Sequence, residues 1–222
     1  MYTIGKPSPL NPQQIDTICE SVGYILPSDY SEFLQTYGYG NVDESIYFID
    51  PDKDYLKNNF SGYIDLWEWK EEQEQKKALT GLTIATSIDG DIILCVDNHL
   101  PYLLLPRHSS VPLYFDKWED IFVHLFGHKP VYFDTDYSHR IQSISLIKNG
   151  NLDKTLIDAV LNKFLSHYKA DAIFGEQQPK YVLQNIGGWV YFNLVYKNSI
   201  RIKYQTIYQD KADEIINFVK ES

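Results

Sequence analysis

The sequence predicts an α+β protein of two units. Between residues 1 and 128, segments with helical periodicity flank a series of short apolar segments that are separated by turn residues. A second series, in the order β-α-β-β-β-α, occupies residues 139–222. The chain of 222 residues suffices for one large or two small domains, and its 44% hydrophobic residues can form a core. We therefore predict domains at 1–128 and 139–222.

The first unit begins with two helices. Apolar residues recur at helical spacing over 12–22, and a second helix is predicted to begin at Ser28 or Asp29, either of which can cap it, and to end before Gly38. The remaining predicted elements are strands at 45–49, 82–85, 91–96, 102–106 and 113–115 and a helix at 118–126.

The second unit begins with a strand at 141–147 and a turn at 149–151. A helix over 153–168 is predicted from the apolar residues on one of its faces. The remaining elements are predicted strands at 180–186, 189–196 and 200–208, and a helix at 211–220.

The charge is uneven along the chain. Residues 1–128 contain 8 Lys/Arg and 20 Asp/Glu, a balance of −12, whereas residues 129–222 contain 12 and 10, a balance of +2. An acidic first unit disfavours nucleic acid and anionic membrane as partners and favours a basic protein. The start of the chain lacks the features of a signal peptide, and Cys19 and Cys95 have the apolar surroundings of buried free thiols, which predicts a cytoplasmic protein.

Residues 52–80, here called the insert, are strongly polar. We predict an exposed helix over 65–77 with two tryptophans near its start, and aromatic anchors inside an acidic rim suit a basic partner. The alternative is a surface helix whose tryptophans cover the core. The candidate partner-binding residues are Asp65, Trp67, Glu68, Trp69, Glu71, Glu72 and Glu74, with Asp50, Asp52 and Asp54 before them.

Catalytic and metal-binding patterns are weak in this sequence. His124 and His128 are four residues apart, as two metal ligands on a helix can be, but no HExxH motif accompanies them. The spacing of Asp50, Asp52 and Asp54 loosely matches a calcium loop without its glycine and closing glutamate, and a solvated turn is the alternative. We predict no catalytic residue, no cofactor and no metal.

Three motifs follow one another within about residues 10–127. The segment LPSDYSEFL at 26–34, followed by YGYG at 37–40, has the pattern LP-x-D-Y-x-x-F-L and then an aromatic/glycine turn. Residues 84–93 form an apolar strand that leads into a glycine-acid turn, and residues 118–125 form a closing helix. Together these motifs resemble those of the SUKH superfamily, and the insert and the unit at 139–222 depart from the pattern.

The resemblance implies a mixed or antiparallel sheet flanked by helices and a protein-binding function. Many bacterial members are immunity proteins that neutralise secreted toxins, often nucleases, and fungal relatives regulate cell-wall assembly. We therefore expect an immunity protein whose partner is a basic toxin domain. The alternatives are a regulatory or scaffold protein of the cell-wall type and a small hydrolase.

Overall fold

The structure, a computed structural model, describes residues 1–96, 100–135, 138–148, 151–152, 154–176 and 178–221. Its helices and its two larger sheets confirm the predicted α+β fold. Two compact units are present: Met1–Thr3 with Pro7–Thr135, and Ile4–Lys6 with Asp136–Ser222. The division into domains at 1–128 and 139–222 stays a prediction. Among the described residues, no helix is both long and apolar enough to cross a membrane.

The first unit contains an eight-stranded sheet in the described part of the chain. Its elements are β1 (Tyr2–Ile4), α1 (Pro12–Val22), α2 (Ser28–Thr36), β2 (Gly40–Val42), β3 (Ile46–Asp52), α3 (Tyr55–Phe60), a 3-10 helix (Ser61–Leu66), α4 (Glu72–Leu79), β4 (Leu82–Ser87), β5 (Ile92–Cys95), β6 (Tyr102–Leu105), β7 (Leu113–Phe115), α5 (Trp118–Phe126) and β8 (Tyr132–Thr135). The strand order is β1-β8-β2-β3-β4-β5-β6-β7. Strand β8, for which no element was predicted, pairs antiparallel with β2.

Local sequence explains where α1 begins and ends. Asn11 accepts a hydrogen bond from the Gln14 backbone, and the Gln14 side chain accepts one from the Asn11 backbone, which forms a capping box before Pro12. Gly23 ends the helix with a φ of 68°, a left-handed conformation that glycine adopts without steric cost. The predicted bounds of this helix, and those of α5, are confirmed.

The prediction that Ser28 or Asp29 caps α2 is wrong. Pro27 occupies the cap position, and no side chain caps the helix. The Asp29 carboxylate instead accepts a hydrogen bond of 2.6 Å from the buried Tyr102 hydroxyl on β6 and a longer one of 3.4 Å from the Trp118 backbone N–H at the start of α5. Asp29 therefore joins three elements of the first unit, because a carboxylate can accept several donors.

Both faces of the middle of the first sheet are buried. On one face, Ile93 and Cys95 of β5 pack into a core with α1, α2 and α5. On the other face, Ile92 and Leu94 pack with two leucines of β6 and with the insert.

The turn Asp89-Gly90-Asp91 leads into β5. Gly90 has a φ of 92°, which glycine adopts without steric cost. The Asp91 carboxylate accepts a hydrogen bond of 2.7 Å from the Arg107 backbone N–H.

The second unit contains a five-stranded antiparallel sheet. Its elements are β9 (His139–Ser145), β10 (Ile147–Lys148), β11 (Asn151–Leu152), α6 (Lys154–His167), β12 (Ala172–Phe174), β13 (Lys180–Leu183), a 3-10 helix (Gln184–Ile186), β14 (Gly188–Phe192), β15 (Ser199–Gln205), a 3-10 helix (Thr206–Tyr208) and α7 (Gln209–Glu221). The strand order is β12-β13-β14-β15-β9, and β10 pairs with β11 separately. Both helices pack on one face of the larger sheet.

The predicted order of the second unit agrees with this arrangement apart from three short strands. Strands β10, β11 and β12 were not predicted, and each is only two or three residues long. Residues 149 and 150 of the predicted turn lie outside the described residues, as does residue 153, where the helix was predicted to begin.

Candidate functional site

The insert folds as a cover over the outer face of the first sheet. Leu56 of α3 and Ala78 of α4 are buried there, together with Ile64 and Trp67. Between the two helices the chain forms the 3-10 helix Ser61–Leu66 and then becomes extended at Trp67. The strongly polar insert therefore contributes a small set of apolar residues at separate points along its length.

The prediction of one continuous helix over 65–77 is wrong, and only its second half, from Glu72, is α-helical. A 3-10 helix ends at Leu66, the extended residue Trp67 follows it, and α4 begins only at Glu72. A 3-10 helix has three residues per turn, so Ile64 and Trp67 lie on the same side and both enter the core. We call this pair the inner edge of the insert.

Both tryptophans of the candidate site are held by structural contacts. Trp67 is 6% exposed, and its indole N–H donates to the Pro106 carbonyl at 3.0 Å. Trp69 is half-buried, and its indole N–H donates to the Ile64 carbonyl at 3.0 Å. The alternative interpretation, in which the tryptophans cover the core, therefore fits their positions, and Trp67 is not an accessible anchor.

The three-residue period also determines which side chains face outward. Tyr63 and Leu66 are three residues apart and are 64% and 59% exposed. We call this pair the outer edge of the insert. Neither residue was predicted from the sequence, although each directly precedes a buried residue of the inner edge. Leu66 also lines a cleft of about 340 Å³, together with Trp67, Pro106 and Arg107.

Two of the candidate carboxylates, within two residues of Leu66 in the sequence, are held by neutral donors. The Asp65 carboxylate accepts a hydrogen bond of 3.3 Å from the Gln75 amide. Glu68 accepts one of 2.8 Å from the Ser110 hydroxyl, and its backbone N–H donates to the Ser110 carbonyl at 2.7 Å. Because these donors carry no charge, each hydrogen bond positions its carboxylate without placing a positive charge against it.

The other carboxylates of the insert have different surroundings. Glu72 forms an ion pair of 2.6 Å with Lys76, one turn later on α4. Glu74 accepts a hydrogen bond of 3.0 Å from the Lys70 backbone N–H, and Glu71 is exposed at the cap position of α4. The ion pair neutralises Glu72 locally, so this residue contributes less to the acidic field than its neighbours do.

Asp50, Asp52 and Asp54 lie at the end of β3 and in the turn that follows it. Asp50 accepts a hydrogen bond of 3.1 Å from the Tyr39 hydroxyl, and burial, followed by the charge of Asp50, raises the pKa of Tyr39. Asp52 accepts the Asp54 N–H at 2.8 Å. These contacts are local, so the turn is organised separately from Asp65 and Glu68.

The two histidines at metal-ligand spacing, His124 and His128, pack on aromatic rings. The His124 ring centroid lies 5.5 Å from that of Phe115, and the His128 centroid lies 5.5 Å from that of Phe122. In the part of the chain that the structure describes, no group of three or more His, Cys, Asp or Glu side chains could hold a metal ion.

Comparison with known proteins agrees with the arrangement of the first unit. Residues 12–124 match the model of the SUKH_6 family, described as SMI1-KNR4 cell-wall. A search of the curated proteins and a search of the solved structures each found no match. The matched segment runs from α1 into α5 and covers half of the chain. It includes the motif around Asp29 and the closing helix, and the chain therefore belongs to the SUKH_6 family.

Proposed function

We propose that this chain is an immunity-type binding protein that neutralises a basic toxin domain by direct contact. SUKH proteins are generally non-catalytic binding modules and are often immunity proteins. The observation that carries the proposal is the outer edge: Tyr63 and Leu66 are exposed, and Asp65 and Glu68, which lie within two residues of Leu66 in the sequence, are held in place by hydrogen bonds. The small-hydrolase alternative gains no support from the family.

The outer edge has the properties of a binding anchor. Its two side chains are large and exposed, and a partner that covers them removes apolar surface from water. Ile64 and Trp67 of the inner edge are buried directly behind them, so the backbone that carries Tyr63 and Leu66 is already ordered. Ordering before binding reduces the entropy that association would otherwise cost.

The charge of the first unit suits a basic partner. The balance of −12 over residues 1–128 creates a negative field that attracts Lys/Arg-rich surfaces and raises the association rate. Asp65 and Glu68 contribute part of this charge within two residues of Leu66 in the sequence. A nuclease toxin, whose substrate is polyanionic, would present such a basic surface at its active site, and occupation of that surface would block the substrate.

Co-expression tests the function. The product of the gene immediately upstream is expressed alone and together with this chain, and we expect the chain to restore growth. With purified proteins, the change Asp65→Lys/Glu68→Lys should lower the association rate about tenfold or more at low salt. The matched control, Asp16→Lys/Glu20→Lys on α1, makes the same change in net charge at exposed positions outside the outer edge.

Two outcomes would contradict the proposal in different ways. If the control pair lowers the association rate as much as the outer-edge pair, net charge acts without a defined site. If the upstream product is toxic and the chain restores no growth, the immunity function is wrong.

The family description favours a second candidate, a regulatory or scaffold protein of cell-wall assembly. Deletion of the gene separates the two functions. An immunity protein predicts that the deletion strain becomes sensitive only to cells that deliver the toxin. A cell-wall regulator predicts altered sensitivity to cell-wall-damaging compounds in the absence of any toxin.

A further inference from the structure

The edges of the two larger sheets differ in length. Strands β1 and β7 end the first sheet, β12 ends the second, and each is three residues long. Strand β9, at the other edge of the second sheet, is seven residues long. Short edge strands limit pairing with other chains, because an edge exposes unpaired backbone groups. Strand β9 lacks this protection.

Two hydrogen bonds establish which backbone groups of β9 face outward. The Leu146 N–H donates to the Asn198 carbonyl, and the Thr206 N–H donates to the Ser138 carbonyl. Both are directly opposed pairs in the register of β9 with β15, and hydrogen-bonded pairs alternate along an antiparallel ladder. The even-numbered residues of β9 therefore bond to β15, and Ile141 and Ser143 direct their backbone groups away from it.

Other features that protect sheet edges are also missing from β9. Its register with β15 continues over seven residue pairs without a bulge, and the strand contains no proline. Arg140 is its only lysine, arginine or acidic residue. The side chains of Arg140, Ile141, Gln142 and Ser143 are all exposed, and Ile141 is 60% exposed. In the described part of the chain, no strand pairs with the outer side of β9.

We propose that β9 pairs antiparallel with β9 of a second copy and joins two five-stranded sheets into one. A twofold axis at Gln142 places Gln142 opposite its own copy and Ile141 opposite the copy's Ser143. This register pairs all seven residues and makes hydrogen-bonded pairs of Ile141 and Ser143, whose backbone groups face outward. The Ser143 carbonyl accepts the Gln142 side-chain amide at 3.1 Å in the single chain, and pairing exchanges that contact for the Ile141 N–H of the copy.

The charge distribution favours a second copy as the occupant of this edge. In the twofold register, Arg140 lies opposite Ile144 of the copy, so no two like charges are directly opposed. The balance of residues 129–222 is only +2, whereas that of residues 1–128 is −12. Self-association through β9 therefore brings together the nearly neutral parts of two chains. This proposal is independent of the proposed toxin binding.

A charge-swap experiment tests both the dimer and its register. The unmodified chain should show twice its monomer mass of 25.9 kDa in light scattering as its concentration rises. Gln142→Lys and Gln142→Glu should each weaken the dimer about fivefold or more, because like charges then oppose each other on the axis. An equimolar mixture of the two variants should form the dimer again, since opposite charges are then paired.

A backbone variant tests the edge by a different route. Ile141→Pro removes an outward N–H and leaves the bonds to β15, so it should weaken the dimer about tenfold or more. Ile141→Thr keeps the N–H and should retain the dimer, and thermal unfolding of both variants shows whether the fold is kept. A monomeric unmodified chain would overturn the proposal. A dimer that is insensitive to both Gln142 changes would also overturn it, because another surface would then hold the copies together.

Discussion

Two regions of the first unit use their polar residues for different purposes. One is the insert, and the other is the rest of the unit, which we call the framework. In the framework, Asp29 accepts hydrogen bonds from the Tyr102 hydroxyl and the Trp118 backbone and so holds α2, β6 and α5 together. In the insert, Asp65 and Glu68 are held by neutral donors at an exposed surface. The motif residue Asp29 is therefore structural, and we place binding on the insert.

The largest expected effect concerns the inner edge. Trp67→Ala should lower the free energy of unfolding by about 3–5 kcal/mol, because it removes a large buried side chain and leaves the Pro106 carbonyl without its indole donor. Urea unfolding followed by circular dichroism measures this change. A loss below about 1 kcal/mol would mean that the insert is not a stabilising cover of the sheet.

A smaller effect is expected in the framework. Asp29→Ala removes the acceptor of the fully buried Tyr102 hydroxyl and should lower the free energy of unfolding by about 1–3 kcal/mol. The control is Asp16→Ala on the exposed side of α1, for which we expect a change within about 0.5 kcal/mol. Equal losses in the two variants would contradict the structural role of Asp29.

The hydrogen bond between Tyr102 and Asp29 also predicts a pH dependence of stability. Burial, and next the hydrogen bond to Asp29, raises the pKa of Tyr102 above its ordinary value of 10.0. The folded protein therefore keeps the Tyr102 hydroxyl proton at a pH at which the unfolded chain releases it. The contribution of Tyr102 to the free energy of unfolding is complete below about pH 10 and falls as the pH rises. Tyr102→Phe should reduce the slope above pH 10 by about 1.4 kcal/mol per pH unit. Urea unfolding at several alkaline pH values measures this slope, and an unchanged slope would contradict the assignment.

Much of the framework could be predicted from sequence because its local signals agree with its packing. The capping residues Asn11 and Pro12 and the apolar spacing within α1 lead to the same helix bounds. The role of Asp29 could not be predicted, because its partners Tyr102 and Trp118 are 73 and 89 residues away.

The insert could not be predicted because its structure depends on the sheet beneath it. The continuous apolar residues of β5 and β6 were a usable signal, since strands that are apolar on both sides must be covered on both faces. The acidic sequence at 65–77 suggested one helix, but burial of Ile64 and Trp67 favours a tight turn of three residues. As a result, the large exposed side chains are those of Tyr63 and Leu66, each next to a buried residue of the inner edge, and Trp67 is buried.

The smallest expected effect on stability concerns the outer edge. Tyr63→Ala and Leu66→Ala should each change the free energy of unfolding by no more than about 0.5 kcal/mol, because both side chains are largely in solvent. Urea unfolding in parallel with Trp67→Ala gives the comparison directly. Losses as large as that of Trp67→Ala would mean that the two edges are not distinct.

The most direct test of the division between the edges is the dissociation rate of the complex with the neutralised toxin. For the double variant Tyr63→Ala/Leu66→Ala, surface plasmon resonance should show dissociation about 30-fold faster or more, as expected when anchors worth about 2 kcal/mol are lost. Its urea unfolding should stay within about 1 kcal/mol of the unmodified chain. An unchanged dissociation rate in a variant of unchanged stability would contradict the assignment of binding to the outer edge.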